Sequence, residues 1–269
     1  MTTDAAKFVG SIPDFYDRHL GPVIFEPNAV DIVSRLVLPP AANVLEVACG
    51  TGIVTRELLA RLPADARLTA TDLNEQMIDH ARTRLPADPR LTLRAADAQS
   101  LPFPDGTFDA YVCQFGVMFF PDKVGALREA RRVLKPGGTL LFNVWCSMAE
   151  NAFGRIAHET IGSFFTSDPP TFYHTPYGWC DESVILETLE QADFRSPVIE
   201  RVEHVTTSES SDHFAVGWVQ GNPVVHAITE RGTADTATVI AAVSAELARA
   251  GGERPWEGIM RALVVSAKA

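Results

Sequence analysis

Two carboxylates and a pair of glycines carry the most chemistry in this 269-residue sequence. The stretch Val44-Leu45-Glu46-Val47-Ala48-Cys49-Gly50-Thr51-Gly52 reads as a buried strand running into a tight turn. Glycines suit that turn because a ligand can approach the backbone with no Cβ in the way. Asp72 lies 20 positions beyond Gly52, at the end of the next apolar run. A carboxylate placed there can accept hydrogen bonds from both hydroxyls of a ribose.

So far a nicotinamide dinucleotide fits as well as an adenosyl sulfonium. Three details separate them. The dinucleotide pattern G-x-G-x-x-G needs a third glycine for close helix–strand packing, and position 55 is Thr. Glu46 sits just upstream of the turn, where it repels phosphates but suits a ligand carrying an ammonium and a sulfonium. Asp97-Ala98 ends the third strand, where an adenine amino group can be read. The balance favours the sulfonium.

The elements that must position these residues alternate regularly from Asn43 onward. Strands are expected at 44–48, 67–73, 91–97, 108–116 and 139–145, with helices at 53–62, 75–85 and 122–134. Lys135-Pro136-Gly137-Gly138 closes the last of these helices. Such alternation implies βαβ crossovers and a mostly parallel sheet with helices on both faces. Before it, a helix is expected at 28–38, while Pro13 and Gly21-Pro22 interrupt any long helix in residues 1–30. After it, residues 146–178 read as an aromatic loop following a helix near 149–163. Asp181 caps a helix over 181–193, a strand covers 196–207, helices lie at about 211–219 and 236–250, and 261–267 closes as a strand.

Composition narrows the function. Hydrophobic residues make up 46% and charged residues 21%, as in an ordinary globular domain. Acids outnumber bases 34 to 23, for a net charge of −11, which disfavours a nucleic-acid enzyme. Arg128, Arg131, Arg132 and Lys135 cluster, but they read as the wet face of one helix. Neither a signal peptide nor an apolar run of about 20 residues is seen, so no membrane span is expected. Cys49, Cys113, Cys146 and Cys180 are scattered, which fits a reducing cytoplasm, and no metal-ligand spacing occurs. Cys49 reads as a small packed residue, and Asp109 and Asp122 as turn and cap residues.

Taken in order, VLEVACGTG, TDLNEQMI (71–78), AADAQSLPFPDGTFDAYVCQFGVMFF (95–120) and EARRVLKPGGTLLF (129–142) resemble the class I S-adenosylmethionine-dependent methyltransferases. The likeness is greatest to the ubiquinone/menaquinone-biosynthesis-type group (methyltransferase type 11) and covers about residues 40–145. Ala48 stands where that family has its first strand-one glycine, and Glu46 where it more often has Asp. The resemblance implies a Rossmann-like α/β fold with a seven-stranded sheet ordered 3-2-1-4-5-7-6, strand 7 antiparallel, and a helical and loop insertion covering the active site. The whole of 1–269 then forms a single methyltransferase domain: N-terminal cap helices (1–40), cofactor core (41–145), acceptor-side insertions with strand 6 (146–255) and the closing strand (256–269).

By the same resemblance, Glu46, Ala48, Gly50 and Gly52 line the methionine end of the cofactor and Asp72 takes the ribose. Leu73 and Met77 flank the adenine, Asp97 and Ala98 read its edge, and Gln114 and Phe115 close the site. Methyl transfer from a sulfonium is an in-line displacement that rests mainly on proximity and alignment, so no catalytic dyad is required. Tyr16, His19 and His174 are the candidates for closing the site or serving as a base. The expected cofactor is S-adenosylmethionine, with S-adenosylhomocysteine as product and a small molecule as acceptor through an O-, N- or C-nucleophile. The protein is expected to act in the cytoplasm as a monomer or homodimer. An NAD(P)-dependent oxidoreductase and a non-catalytic S-adenosylmethionine-binding protein are the rival readings.

Overall fold

The computed structural model describes residues 8–269. They divide into two compact units. One comprises the residues up to Pro27 with Cys146–Gly178 and Glu203–Arg261; the other comprises Asn28–Trp145, Trp179–Val202 and Ala262–Ala269.

The second unit is built on the sheet. Strands β1 (Asn43–Val47), β2 (Arg67–Asp72), β3 (Leu91–Ala95), β4 (Phe108–Gln114), β5 (Leu134–Trp145), β6 (Arg195–Ser208) and β7 (Trp256–Lys268) are ordered β3-β2-β1-β4-β5-β7-β6. This is the order the resemblance implies. β1 pairs parallel with β2 and β4, β2 with β3 and β4 with β5, whereas β7 runs antiparallel to β5. Helices α3 (Ile53–Arg61), α4 (Glu75–Arg84) and α5 (Lys123–Val133) make the parallel crossovers. The centre of the sheet is dry: Val44, Leu45, Leu68, Ala110, Val112 and Phe142 are all fully buried. A strand covered on both faces reads as a continuous apolar run, whereas β3 alternates half-buried and exposed residues as an outer strand does.

The expected cap residues behave as such. Asp122 Oδ1 accepts from the Gly125 N–H at 2.8 Å, and Asp181 Oδ1 from the Ser183 N–H at 2.9 Å at the head of α8 (Glu182–Gln191). Asp109, expected in a turn, instead lies in β4, where its carboxylate accepts from the Asn43 N–H and from Lys135 Nζ, both at 2.8 Å. The basic cluster is engaged internally: Arg128 and Arg131 bind the Gln191 and Asp193 carbonyls, and Arg132 pairs with Glu129 and Asp105.

The first unit is helical and aromatic. Phe153 on α6 (Ala152–Gly162) packs against Phe214 and Trp218 of α9 (Ser211–Gln220), and Tyr173 Oη donates to the Trp218 carbonyl at 2.6 Å. Tyr173 and Tyr177, from the expected aromatic loop, are buried core residues here. His174 and Tyr177 bound a short helix, α7 (His174–Tyr177).

Several expectations are corrected. Pro13 and Gly21-Pro22 do not interrupt the N-terminal helix: α1 (Ile12–Phe15), a π-helical stretch (Tyr16–Phe25) and α2 (Glu26–Ser34) follow without a break. Pro13 lies in the first turn, where its missing N–H has no helical partner to lose. Around Pro22 the turn widens, and the Glu26 N–H reaches back five residues to the Gly21 carbonyl. A wider turn relieves the clash between the proline ring and the preceding turn. The Lys135-Pro136-Gly137-Gly138 turn is instead an irregularity inside β5, where pairing jumps from Phe108↔Leu134 to Ala110↔Thr139. α10 (Val224–Arg231) had no counterpart in the sequence reading, because Pro223 obscured its start. β3 ends at Ala95, so Asp97 lies beyond the strand, in a turn where its Oδ1 accepts from the Gln99 N–H at 2.9 Å.

Among the described residues, no helix is long and apolar enough to cross a membrane.

Candidate functional site

At the carboxyl end of β1 the backbone takes three left-handed steps: Ala48 at φ +54°, Gly50 at +56° and Gly52 at +89°. Ala48 thus follows the path a glycine takes more cheaply, which accounts for the residue type usual at that position. The Gly52 requirement is also steric, since a Cβ there would lie 3.0 Å from Leu85 Cδ1. The turn is pinned at its edges: the Cys49 N–H donates to the Thr71 carbonyl at 2.9 Å, and the Gly52 N–H to the Cys49 carbonyl at 3.0 Å. Cys49 itself packs on Ala70 and Ile78, and burial pushes its thiol well up, so it is no nucleophile.

Asp72 ends β2 and binds this turn directly. Its Oδ2 accepts from the Gly50 N–H at 2.9 Å, and its Oδ1 from the Asn74 N–H at 2.8 Å. Asn74 Nδ2 adds a longer contact to Oδ1 at 3.5 Å, so the acceptor position left for a ribose hydroxyl is on Oδ2. Burial raises the carboxyl, and the N–H groups of Asn74 and Gly50 oppose that rise. Asp72 does not cap α4; Asn74 occupies the cap position, and Asp72 holds it in place.

Glu46 lies deeper, only 1% exposed, with Thr55 Oγ1 donating to its Oε2 at 2.6 Å. Desolvation pushes the carboxyl up to about 8; the Thr55 hydrogen bond opposes this and the nearby Asp72 charge adds to it. Thr55 stands where a dinucleotide site has its third glycine, and it spends its hydroxyl on Glu46. The two departures from the dinucleotide pattern are therefore one interaction.

Around this centre, Leu73 is 44% exposed beside Asp72 and Met77 is buried on α4. Ala98 is buried while Asp97 is exposed. Beyond β4, Phe115 adopts φ +50° and stacks on Trp145 with ring centroids 3.9 Å apart and planes 4° from parallel. Gly116 follows, and a Cβ on it would sit 2.6 Å from Ala48 Cβ. The turn after β4 therefore abuts the turn after β1. Glu46, Ala48, Gly50, Gly52, Asp72, Leu73, Met77, Asp97, Ala98, Gln114 and Phe115 all belong to the sheet unit, at the ends of β1 to β4 or just beyond them. Tyr16, His19 and His174 belong to the helical unit. There Tyr16 stacks on Phe25, His19 lies 4.2 Å from the His213 ring, and His174 Nε2 is 3.1 Å from His158 Nε2.

The sequence reading missed four contributors: Thr55, Asn74, Asn143 and Trp145. Thr55 was legible as the residue replacing the third glycine. Asn74 acts locally, two residues beyond Asp72, whereas Asn143 and Trp145 act on Phe115 from the neighbouring strand, which no local pattern announces.

A family model described as a methyltransferase domain matches residues 45–142. The demethylmenaquinone methyltransferase of Listeria monocytogenes serotype 4a (strain HCC23) is 33% identical over 209 residues, covering 70% of this chain and 86% of that protein. The demethylmenaquinone methyltransferase of Staphylococcus epidermidis (strain ATCC 35984) is 31% identical over 134 residues, covering 49% of this chain and 56% of that protein. The chain thus spans about half the length of the first curated relatives it matches. Among solved structures, Haemonchus contortus phosphoethanolamine N-methyltransferase 2 in complex with S-adenosyl-L-methionine aligns with a TM-score of 0.58 at 15% identity, covering 97% of this chain and 61% of that one. At that identity the likeness is one of fold.

Proposed function

Because the chain belongs to the class I S-adenosylmethionine-dependent methyltransferases of ubiquinone/menaquinone-biosynthesis type, we propose that it transfers the methyl group of S-adenosylmethionine to a small-molecule acceptor. The observation that carries this reading is the buried Asp72 carboxylate at the end of β2, held by the Gly50 and Asn74 N–H groups with an acceptor position left on Oδ2. That arrangement suits a ribose hydroxyl. The buried Glu46 carboxyl beside it suits the positive end of the cofactor.

When bound, S-adenosylmethionine supplies an already activated methyl. The chain's own residues have the task of fixing that methyl and excluding water. Asp72 anchors the ribose, Leu73 and Met77 flank the adenine, Asp97 and Ala98 meet its edge, and Gln114 and Phe115 close the site. Glu46, Ala48, Gly50 and Gly52 shape the methionine end. Holding donor and acceptor in line supplies several powers of ten in rate with no general base. Where the acceptor must first lose a proton, His19 and His174 are the candidates for the base, and Tyr16 for closing the site. The chain then acts as one methyltransferase domain over 1–269, in the cytoplasm, as a monomer or homodimer and without nucleic acid. The curated relatives put demethylmenaquinone first among acceptors to assay.

The NAD(P)-dependent reading is disfavoured by the Thr55–Glu46 contact, which sets a carboxyl under the turn that would have to hold a pyrophosphate. Calorimetric titration with S-adenosylmethionine, S-adenosylhomocysteine and NADH separates the readings. Micromolar binding of the two adenosyl ligands alone supports the proposal; binding of NADH alone, or of none, refutes it. Methyl transfer to any acceptor in a screen excludes a purely ligand-binding role.

A further inference from the structure

Asn143 is wholly buried in β5, opposite Gln114 of β4 and Val264 of β7. Its Oδ1 accepts from the Phe115 N–H at 2.9 Å, and the same N–H reaches the Asn143 carbonyl at 3.2 Å. A peptide N–H can only donate, so the amide oxygen must face it. Nδ2 is then left among buried surroundings with no hydrogen-bond partner. An unsatisfied buried amide destabilises a fold, and an apolar residue of similar shape would avoid that cost. The residue it holds is strained as well: Phe115 is a bulky side chain in the left-handed region. Two local costs at one contact mark a constrained site rather than a packing optimum.

The constraint has a visible product. With its N–H clamped, Phe115 turns off the end of β4 and lays its ring flat on Trp145, two residues past Asn143 on β5. The next residue, Gly116, brings this turn against Ala48, in the turn proposed to hold the methionine end of the cofactor. We propose that Asn143 is a positioning residue, which acts through Phe115 to fix a Phe115–Trp145 aromatic wall against the cofactor turn. This rests on the methyltransferase reading given above.

The test uses the full-length protein with Asn143→Leu, and Asn143→Thr as a second variant should the first fail to fold. Trp145→Phe identifies the part of the near-UV circular dichroism that Trp145 contributes. The backbone bond from the Phe115 N–H to the Asn143 carbonyl survives in both Asn143 variants, and the unpartnered amide is gone. The expected result is a melting temperature no lower than wild type, loss of the Trp145 signal, and a Kd for S-adenosylhomocysteine raised about tenfold or more. A retained Trp145 signal overturns the proposal, as does a lost signal with unchanged Kd. If wild-type protein binds no S-adenosylhomocysteine, the methyltransferase reading fails instead, and the Trp145 signal alone then decides whether Asn143 positions Phe115.

Discussion

Replacing Glu46 by Gln should make the protein more stable at neutral and alkaline pH, and the size of the gain follows from burial. In an unfolded chain this carboxyl ionises near 4.5, whereas in the fold it is pushed up to about 8. Below pH 4.5 both states hold the proton and the group contributes nothing to the pH dependence. Between 4.5 and 8 the unfolded chain ionises while the folded one stays protonated, so each pH unit costs the fold about 1.4 kcal/mol. Above 8 both are ionised and the cost levels off. At pH 7 the wild type therefore carries a penalty of roughly 3 kcal/mol, one that Glu46→Gln does not incur. Gln keeps an oxygen to accept from Thr55 Oγ1, so the 2.6 Å contact survives. At 2–4 °C per kcal/mol for a domain of this size, the variant should melt roughly 6–12 °C higher at pH 7 and at the same temperature at pH 4.5. Calorimetric melts across pH 4.5–8.5 read this directly; parallel curves for the two proteins would refute the argument. The same ionisation links to ligand binding. A cationic ligand favours the ionised carboxylate and displaces its proton, so the affinity for S-adenosylmethionine should rise with pH up to about 8 in wild type and stay flat in Glu46→Gln.

Three further outcomes are expected. Asp72→Ala removes a hydrogen-bonded carboxylate and should weaken S-adenosylhomocysteine binding by about 1.5–3 kcal/mol, seen in calorimetric titration. Gly116→Ala places a Cβ 2.6 Å from both Ala48 Cβ and Cys113 Sγ; denaturant melts should show a loss of about 1–3 kcal/mol, as overpacking predicts. His19 is kept below its ordinary pKa by burial and by His213, so it is neutral and able to accept a proton at pH 7. With an acceptor that must lose a proton, His19→Ala should lower kcat by about two powers of ten while leaving the Kd for S-adenosylhomocysteine unchanged; an unchanged kcat removes it from the candidates.

The sheet unit was legible because its signals are local. β1, β2 and β4 are short apolar runs bounded by Gly, Pro or polar turns, and α3 and α4 end at Pro63 and Pro86 as their proline stops dictate. Asp72, Gly50 and Gly52 were found for the same reason, since a strand–turn–helix segment carries its own spacing. The N-terminal helix was not, because Pro22 is a breaker only in an α-helical turn and the chain widened that turn instead. α10 and the bulge in β5 escaped for a related reason: each is settled by tertiary packing that overrides a proline or glycine signal. Asn143 was invisible in principle, since its importance lies in one bond to a residue 28 positions away.

The locally costly residues are the informative part of the site. Ala48 accepts a left-handed backbone where glycine is cheaper, Glu46 stays protonated where an exposed acid would ionise, and Asn143 leaves half its amide unpaired. Each lowers stability, and all three lie toward the carboxyl ends of β1 and β5 or in the turn beside β1. Together they hold the Ala48–Gly52 turn, the Asp72 carboxylate and the Phe115 ring in one arrangement before any ligand arrives. A site whose catalysis is alignment needs that preorganisation, because a loosened turn would lose rate even with every cofactor contact still present.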